Sequence, residues 1–414
     1  MGKRVGAVLR AASAGTVGLV LGAVGTLALQ GCGQPLEPGT PARPSRLELP
    51  EVRGSRTPPD TFLVWSYGGL PRGFGRDLRR APWVRRSVVV MSDNTWLTGS
   101  VSADGRIVDD PPRGFSIPLE AAAVDPVDYA WFLPPADRGV VRALAAGQGV
   151  LGTSSAALRG LGPGAVLAFG DVQVVVAAVL PDELVGANEV LVSREVGAAI
   201  GVRRARYALL EPRRPMSAPE VTRLVRPLFP PGTPYQVRAP GDTPYFRHGD
   251  AVLPPVRIKM LFGEFAARPD PDRPGYLIVD PAWVKEHIAT VRVPLLGEIT
   301  CNVALIPQIE GAMRELIRLG YADLVRSYHG CYSPRHILRD PTANLSHHAW
   351  GIAFDINLAG NAFGEPPHQD PHLVRVLERW GFIWGGRFIV PDGNHFEYRR
   401  PPSGGSGVGR PNGT

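Results

Sequence analysis

Seven of the nine histidines lie between His329 and His395, so the residues best suited to chemistry are concentrated near the C-terminal end. Two stretches set histidine close to carboxylate. The first, from Ser346, reads Ser-His-His-Ala-Trp-Gly-Ile-Ala-Phe-Asp-Ile-Asn; the second, from Pro391, reads Pro-Asp-Gly-Asn-His-Phe-Glu-Tyr. The end of the first alternates like a strand. Gly351, Ala353 and Asp355 share one face, while Ile352, Phe354 and Ile356 pack on the other. Asp355 then projects among very small residues, and a histidine seven positions earlier, before the glycine bend, has room to fold back toward it. In the second stretch His395 and Glu397 share a strand face and Phe396 packs opposite. Two histidines and one carboxylate with an open fourth position make a catalytic zinc set. Such a site acidifies a water and polarises a carbonyl while a nearby carboxylate takes the proton. A lone histidine in a turn is more often structural, and spacing alone leaves both readings open.

The elements that must position these residues are legible from periodicity. Ile306, Ile309, Met313, Leu316 and Leu319 repeat at helical spacing, which predicts an amphipathic helix over 307–319 ending at Gly320. Leu373, Val376, Leu377 and Trp380 predict a second, ending at Gly381. Both stripes face a core and carry no chemistry.

The order Ser-x-His-x-x-Gly-x-Ala-x-Asp, followed downstream by Asp-x-x-His-Phe-Glu, resembles the zinc peptidases that include D-Ala-D-Ala carboxypeptidases, the vancomycin-resistance dipeptidases and phage L-alanyl-D-glutamate endolysins. The resemblance runs from about Cys301 to Tyr398. It implies Zn2+ held by His348, Asp355 and His395, with Asp392 as general base. His347, off the pattern, becomes a neighbour of the ligands, and its adjacency to His348 leaves open which of the two ligates. Glu397 would orient a ligand histidine. Gly330-Cys331-Tyr332-Ser333-Pro334-Arg335 is similar to the segment where these enzymes hold an arginine near the substrate, so Arg335 would bind a peptide carboxylate or stabilise the oxyanion. Ser346 would either contact substrate or cap its turn, and Trp384 would either wall the cleft or fill the core. Gly385 and Gly386 let the backbone pass close to the site. Asn357 and Asn361 belong to the fold rather than the chemistry.

The rest of the 414-residue chain places this domain. Lys3, Arg4 and Arg10, the apolar stretch 11–29 and Leu29-Gln30-Gly31-Cys32 read as an export signal. The ending resembles a bacterial lipobox with Cys32 as the lipidated residue; the alternative is an uncleaved membrane anchor. Either puts the remainder outside the cytoplasm, in the cell envelope. Seven prolines between 35 and 59 make 33–60 an extended linker. Residues 61–215 alternate β-like runs with turns, such as Ser87–Met91 and Ala165–Val176 with Gly170-Asp171 between strands, around a helical stretch at 137–146. That predicts an α+β domain with no catalytic constellation, a binding or spacer module. Residues 161–202 faintly resemble extracytoplasmic domains of transporter-type permeases. Proline and glycine place a linker at 216–256, the α+β peptidase domain with a small antiparallel sheet and flanking helices at 257–400, and a disordered tail at 401–414.

Cys301 and Cys331, the only cysteines after Cys32, fit a disulfide in an oxidising compartment; buried small hydrophobes are the alternative. The net charge of +7 is dispersed arginine without interleaved aromatics, which argues against nucleic acid as a partner. The expectation is an exported zinc metallopeptidase acting on peptidoglycan stem peptides, either as an L-Ala-D-Glu-type endopeptidase or as a D-Ala-D-Ala carboxypeptidase. Its rival is a noncatalytic zinc-containing binding module, as in the related Hedgehog signalling domain.

Overall fold

The computed structural model describes residues 61–242, 246–250 and 253–402. The export signal with Cys32, the linker 33–60 and the tail beyond 402 lie outside the described residues, and no described helix is long and apolar enough to cross a membrane.

The fold is α+β. Strands from Phe62 to Arg238 build one eleven-stranded sheet. In its middle the neighbours run Phe62–Ser66, Ala205–Pro212, Val84–Leu97, Ile117–Val124, Val190–Ser193, Gly149–Gly152 and Val172–Leu180. Two of these pairs are parallel, Ile117–Val124 with Val190–Ser193 and Gly149–Gly152 with Val172–Leu180. Ile117–Val124 is buried along its whole length, as a strand covered on both faces must be. The Gly170-Asp171 turn joins Val166–Phe169 to Val172–Leu180 as an antiparallel hairpin.

The stretch read as an interdomain linker at 216–256 begins differently. Ser217 and Glu220 form a capping box that starts the helix Ala218–Val225, and Tyr235–Arg238 pairs antiparallel with Phe62–Ser66. Pro230-Pro231-Gly232 is the turn between them. Residues 218–238 therefore extend the sheet; their prolines mark a turn inside the domain, not its end.

The C-terminal part has its own core, built from Ile309, Met313, Leu316, Phe354, Leu373, Leu377 and Phe396 among others. Helices Ile306–Arg318 and Pro371–Arg379 flank it, close to the predicted spans. A three-stranded antiparallel sheet carries the histidine-rich segments, with His395–Tyr398 central between Ala353–Asp355 and Phe382–Trp384. The two parts belong to one compact unit. Lys259, on helix Pro255–Phe262, is buried against the large sheet, where its Nζ donates to Glu189 at 2.8 Å. Arg159 pairs with the same carboxylate at 3.0 Å. Buried charges survive only with such partners, so this network commits the two parts to one mutual position.

Candidate metal centre

Two strands of the small sheet and the short turn before one of them each deliver one side chain to a common point. Asp355 and His395 are direct cross-strand partners, so register alone places them side by side. His348 arrives from the short helical turn His347–Trp350, which Ser346 caps by accepting the His348 N–H. Gly351 ends the turn at φ 66°, and a Cβ there would lie 2.7 Å from the Asn302 backbone nitrogen. Only glycine allows this bend, and the bend swings His348 back over Asp355.

One ligand-type atom from each of His348, Asp355 and His395 lies within 4.8 Å of the other two. His348 Nδ1 donates to the Cys331 carbonyl at 2.7 Å. A carbonyl only accepts, so Nε2 presents its lone pair to the cluster. That nitrogen is buried and lacks a hydrogen-bond partner, although Asp355 Oδ2 is 3.3 Å away. His395 sits between two carboxylates, with Nδ1 3.1 Å from Asp355 and Nε2 3.2 Å from Glu397. An orphaned imidazole nitrogen, a carboxylate and a second oriented imidazole, all converging, fit a zinc ion with one position left open.

The electrostatics are those of a cation site filled by protons. Burial works against protonation of His395, yet its bonds to Asp355 and Glu397 outweigh that and push it up to about 10. Burial also opposes ionisation of Asp355, but His348 and His395 hold its carboxyl far below the usual range. Glu397 is lowered in the same way: burial is overcome by His347 and His395.

His347 is turned out of the cluster. Its Nδ1 lies 2.8 Å from Glu397 Oε2, so Glu397 bridges it to His395. Asp392 is half-buried, and burial raises its pKa, with His395 and then Asp355 acting in opposite senses. Its orientation is set by Asn394, whose Nδ2 donates to Oδ1 at 2.8 Å. Trp384 pins the same turn by donating to the Gly393 carbonyl at 2.8 Å. Gly385 passes so close that a Cβ would meet the Asp392 carbonyl at 2.6 Å. The Arg335 guanidinium makes no hydrogen bond or ion pair to any described residue, while its backbone carbonyl accepts from the Ser346 N–H at 3.0 Å. Burial lowers its pKa, while Asp355 and then Asp392 act to raise it. A free guanidinium beside two carboxylates is available to an incoming anion. Ser346, 7 % exposed, is occupied as a cap. Cys301 and Cys331 form a disulfide with Cα atoms 5.4 Å apart, which ties the segment before Arg335 to strand Gly297–Asn302.

Sequence reasoning passed over the Cys331 carbonyl and Asn394. Backbone acceptors leave no sequence signal. Asn394, two residues after Asp392 in a turn, was readable as an Asx-type pin.

No curated protein matches the chain. Among solved structures, the periplasmic region of MacB from Actinobacillus actinomycetemcomitans is similar at 11% identity and TM-score 0.31, over 44% of this chain and 88% of that one. The extracellular domain of the noncanonic ABC-type transporter YknZ from Gram-positive bacteria gives 13% and 0.29, over 43% and 100%. A domain of a putative permease from Porphyromonas gingivalis gives 12% and 0.28, over 50% and 96%. These scores are too low for an inference. A family model described as D-alanyl-D-alanine carboxypeptidase matches residues 339–398, the stretch that contains His348, Asp355, Asp392 and His395. The C-terminal region is thus a zinc-peptidase-like domain.

Proposed function

We propose that the chain is an exported zinc metallopeptidase of the bacterial cell envelope, membrane-attached through its N-terminus, that hydrolyses peptidoglycan stem peptides. The observation that carries this reading is the convergence of His348, Asp355 and His395 beside a half-buried Asp392 and an unpaired Arg335. Zinc, when bound, supplies Lewis acidity toward a carbonyl and toward water. His348, Asp355 and His395 would hold it, and Glu397 would orient His395. Asp392 takes a proton from the attacking water and passes it to the leaving amine. Its raised pKa suits both halves of that task. Arg335 stabilises the negative charge that develops on the carbonyl oxygen, or reads the terminal carboxylate of the peptide.

The test is digestion of purified peptidoglycan by residues 33–414, with mass spectrometry of the products, beside an Asp392→Ala variant and a chelator-treated sample. New stem-peptide fragments absent from both controls support the reading and distinguish L-Ala-D-Glu from D-Ala-D-Ala cleavage. Folded, zinc-loaded protein that leaves wall and synthetic stem peptides intact overturns it in favour of a binding module.

A further inference from the structure

The end of the large sheet packs against a segment that is bonded to the turn carrying Asp392. Tyr67, in the turn that follows strand Phe62–Ser66, lies against Phe363 with ring centroids 5.6 Å apart. Gly364, next to Phe363, donates its N–H to the Pro391 carbonyl at 2.7 Å, immediately before Asp392. The Tyr67 phenol makes no hydrogen bond to a described residue. Burial raises its pKa, and Asp392, Asp250 and Asp340 raise it further, so the hydroxyl stays a donor across the physiological range. Phe363 itself is 37% exposed, an aromatic ring left open beside the site.

The sheet also holds the loop that leaves Arg335. Arg204 donates to Thr342, and Arg206, anchored on Asp93 at 2.7 Å, donates to Asn344 at 3.2 Å. Within that loop Leu338 and Arg339 both take left-handed backbone, at φ 54° and 59°. Such strain persists only where surrounding contacts over-determine it.

We propose that the sheet domain is part of the peptide-binding cleft, with Tyr67 a substrate-binding residue whose ring and free hydroxyl hold the stem peptide beside Asp392. The proposal rests on the peptidase reading above. A donor and an aromatic face that touch the peptide away from the scissile bond bind ground and transition states alike, so their loss raises KM and spares kcat.

Steady-state kinetics of residues 33–414, zinc-loaded, on a synthetic stem pentapeptide test it. Removing the hydroxyl alone in Tyr67→Phe should raise KM about 5-fold, and Tyr67→Ala about 10-fold or more, with kcat within about 2-fold and zinc content unchanged. An active parent enzyme whose KM is unmoved by Tyr67→Ala, or whose loss falls on kcat together with zinc, overturns this inference and leaves the peptidase reading standing. A parent enzyme that holds zinc but turns over no stem peptide overturns both.

Discussion

His348 Nδ1 donates to the carbonyl of Cys331 at 2.7 Å, so the backbone of a disulfide-bonded residue sets the tautomer of a candidate metal ligand. The bond from Cys301 to Cys331 is therefore directly connected to the site, since Cys331 Sγ also lies 3.3 Å from the Gly351 carbonyl that ends the His348 turn. Opening it frees a loop of 30 residues in the unfolded chain and loosens the acceptor that orients His348. In the chain-entropy model the first effect costs roughly 3 to 4 kcal/mol. A Cys301→Ala/Cys331→Ala double variant should show that loss in denaturant unfolding, together with weaker zinc binding in a chelator competition. Equal zinc affinity in the variant would separate the disulfide from the site.

Glu397 Oε2 lies 2.8 Å from His347 Nδ1 and is hydrogen-bonded to His395 Nε2 at 3.2 Å. Replacing Glu397 by glutamine removes the charge that orients His395 and supports its basicity. Glu397→Gln is expected to lower zinc affinity about 10- to 100-fold without unfolding the domain, measured by competition with a chromogenic chelator.

Asp250 gives a pH signature outside the site. Its carboxylate accepts from the Ile389 N–H at 3.1 Å, and burial, the largest influence, pushes its pKa up to about 6. A carboxyl raised on folding keeps its proton longer in the native state than in the unfolded one. Stability from this group is therefore full below about pH 4, falls as pH rises to about 6, and stays reduced above. Asp250→Asn keeps the acceptor and removes the charge. Its melting temperature should match the parent at pH 4 and exceed it at pH 7.5; an unchanged difference across that range would contradict the assignment.

The local parts of the site were legible because they obey short-range rules. Alternation over Gly351 to Asn357 anticipated a strand with Asp355 on its open face, and the helices at 306–318 and 371–379 follow from apolar stripes. Residues 218–238 were misread because Pro230, Pro231 and Gly232 signal a turn without saying whether a domain continues past it. The contacts of Tyr67, Arg204 and Arg206 with the C-terminal part were beyond sequence reasoning. They are set by how one sheet docks on another domain, and no local periodicity records that.

The most direct test of the account is the zinc content of purified residues 33–414, measured by elemental analysis beside peptidoglycan cleavage in the same samples, for the parent, Asp355→Ala and Asp392→Asn. The account predicts about one zinc per chain in the parent and its loss in Asp355→Ala. Asp392→Asn should retain the zinc while cleavage drops about 100-fold or more, because it removes the base and leaves the ligands. Zinc retained at parent affinity in Asp355→Ala, or parent-level cleavage by Asp392→Asn, would contradict it.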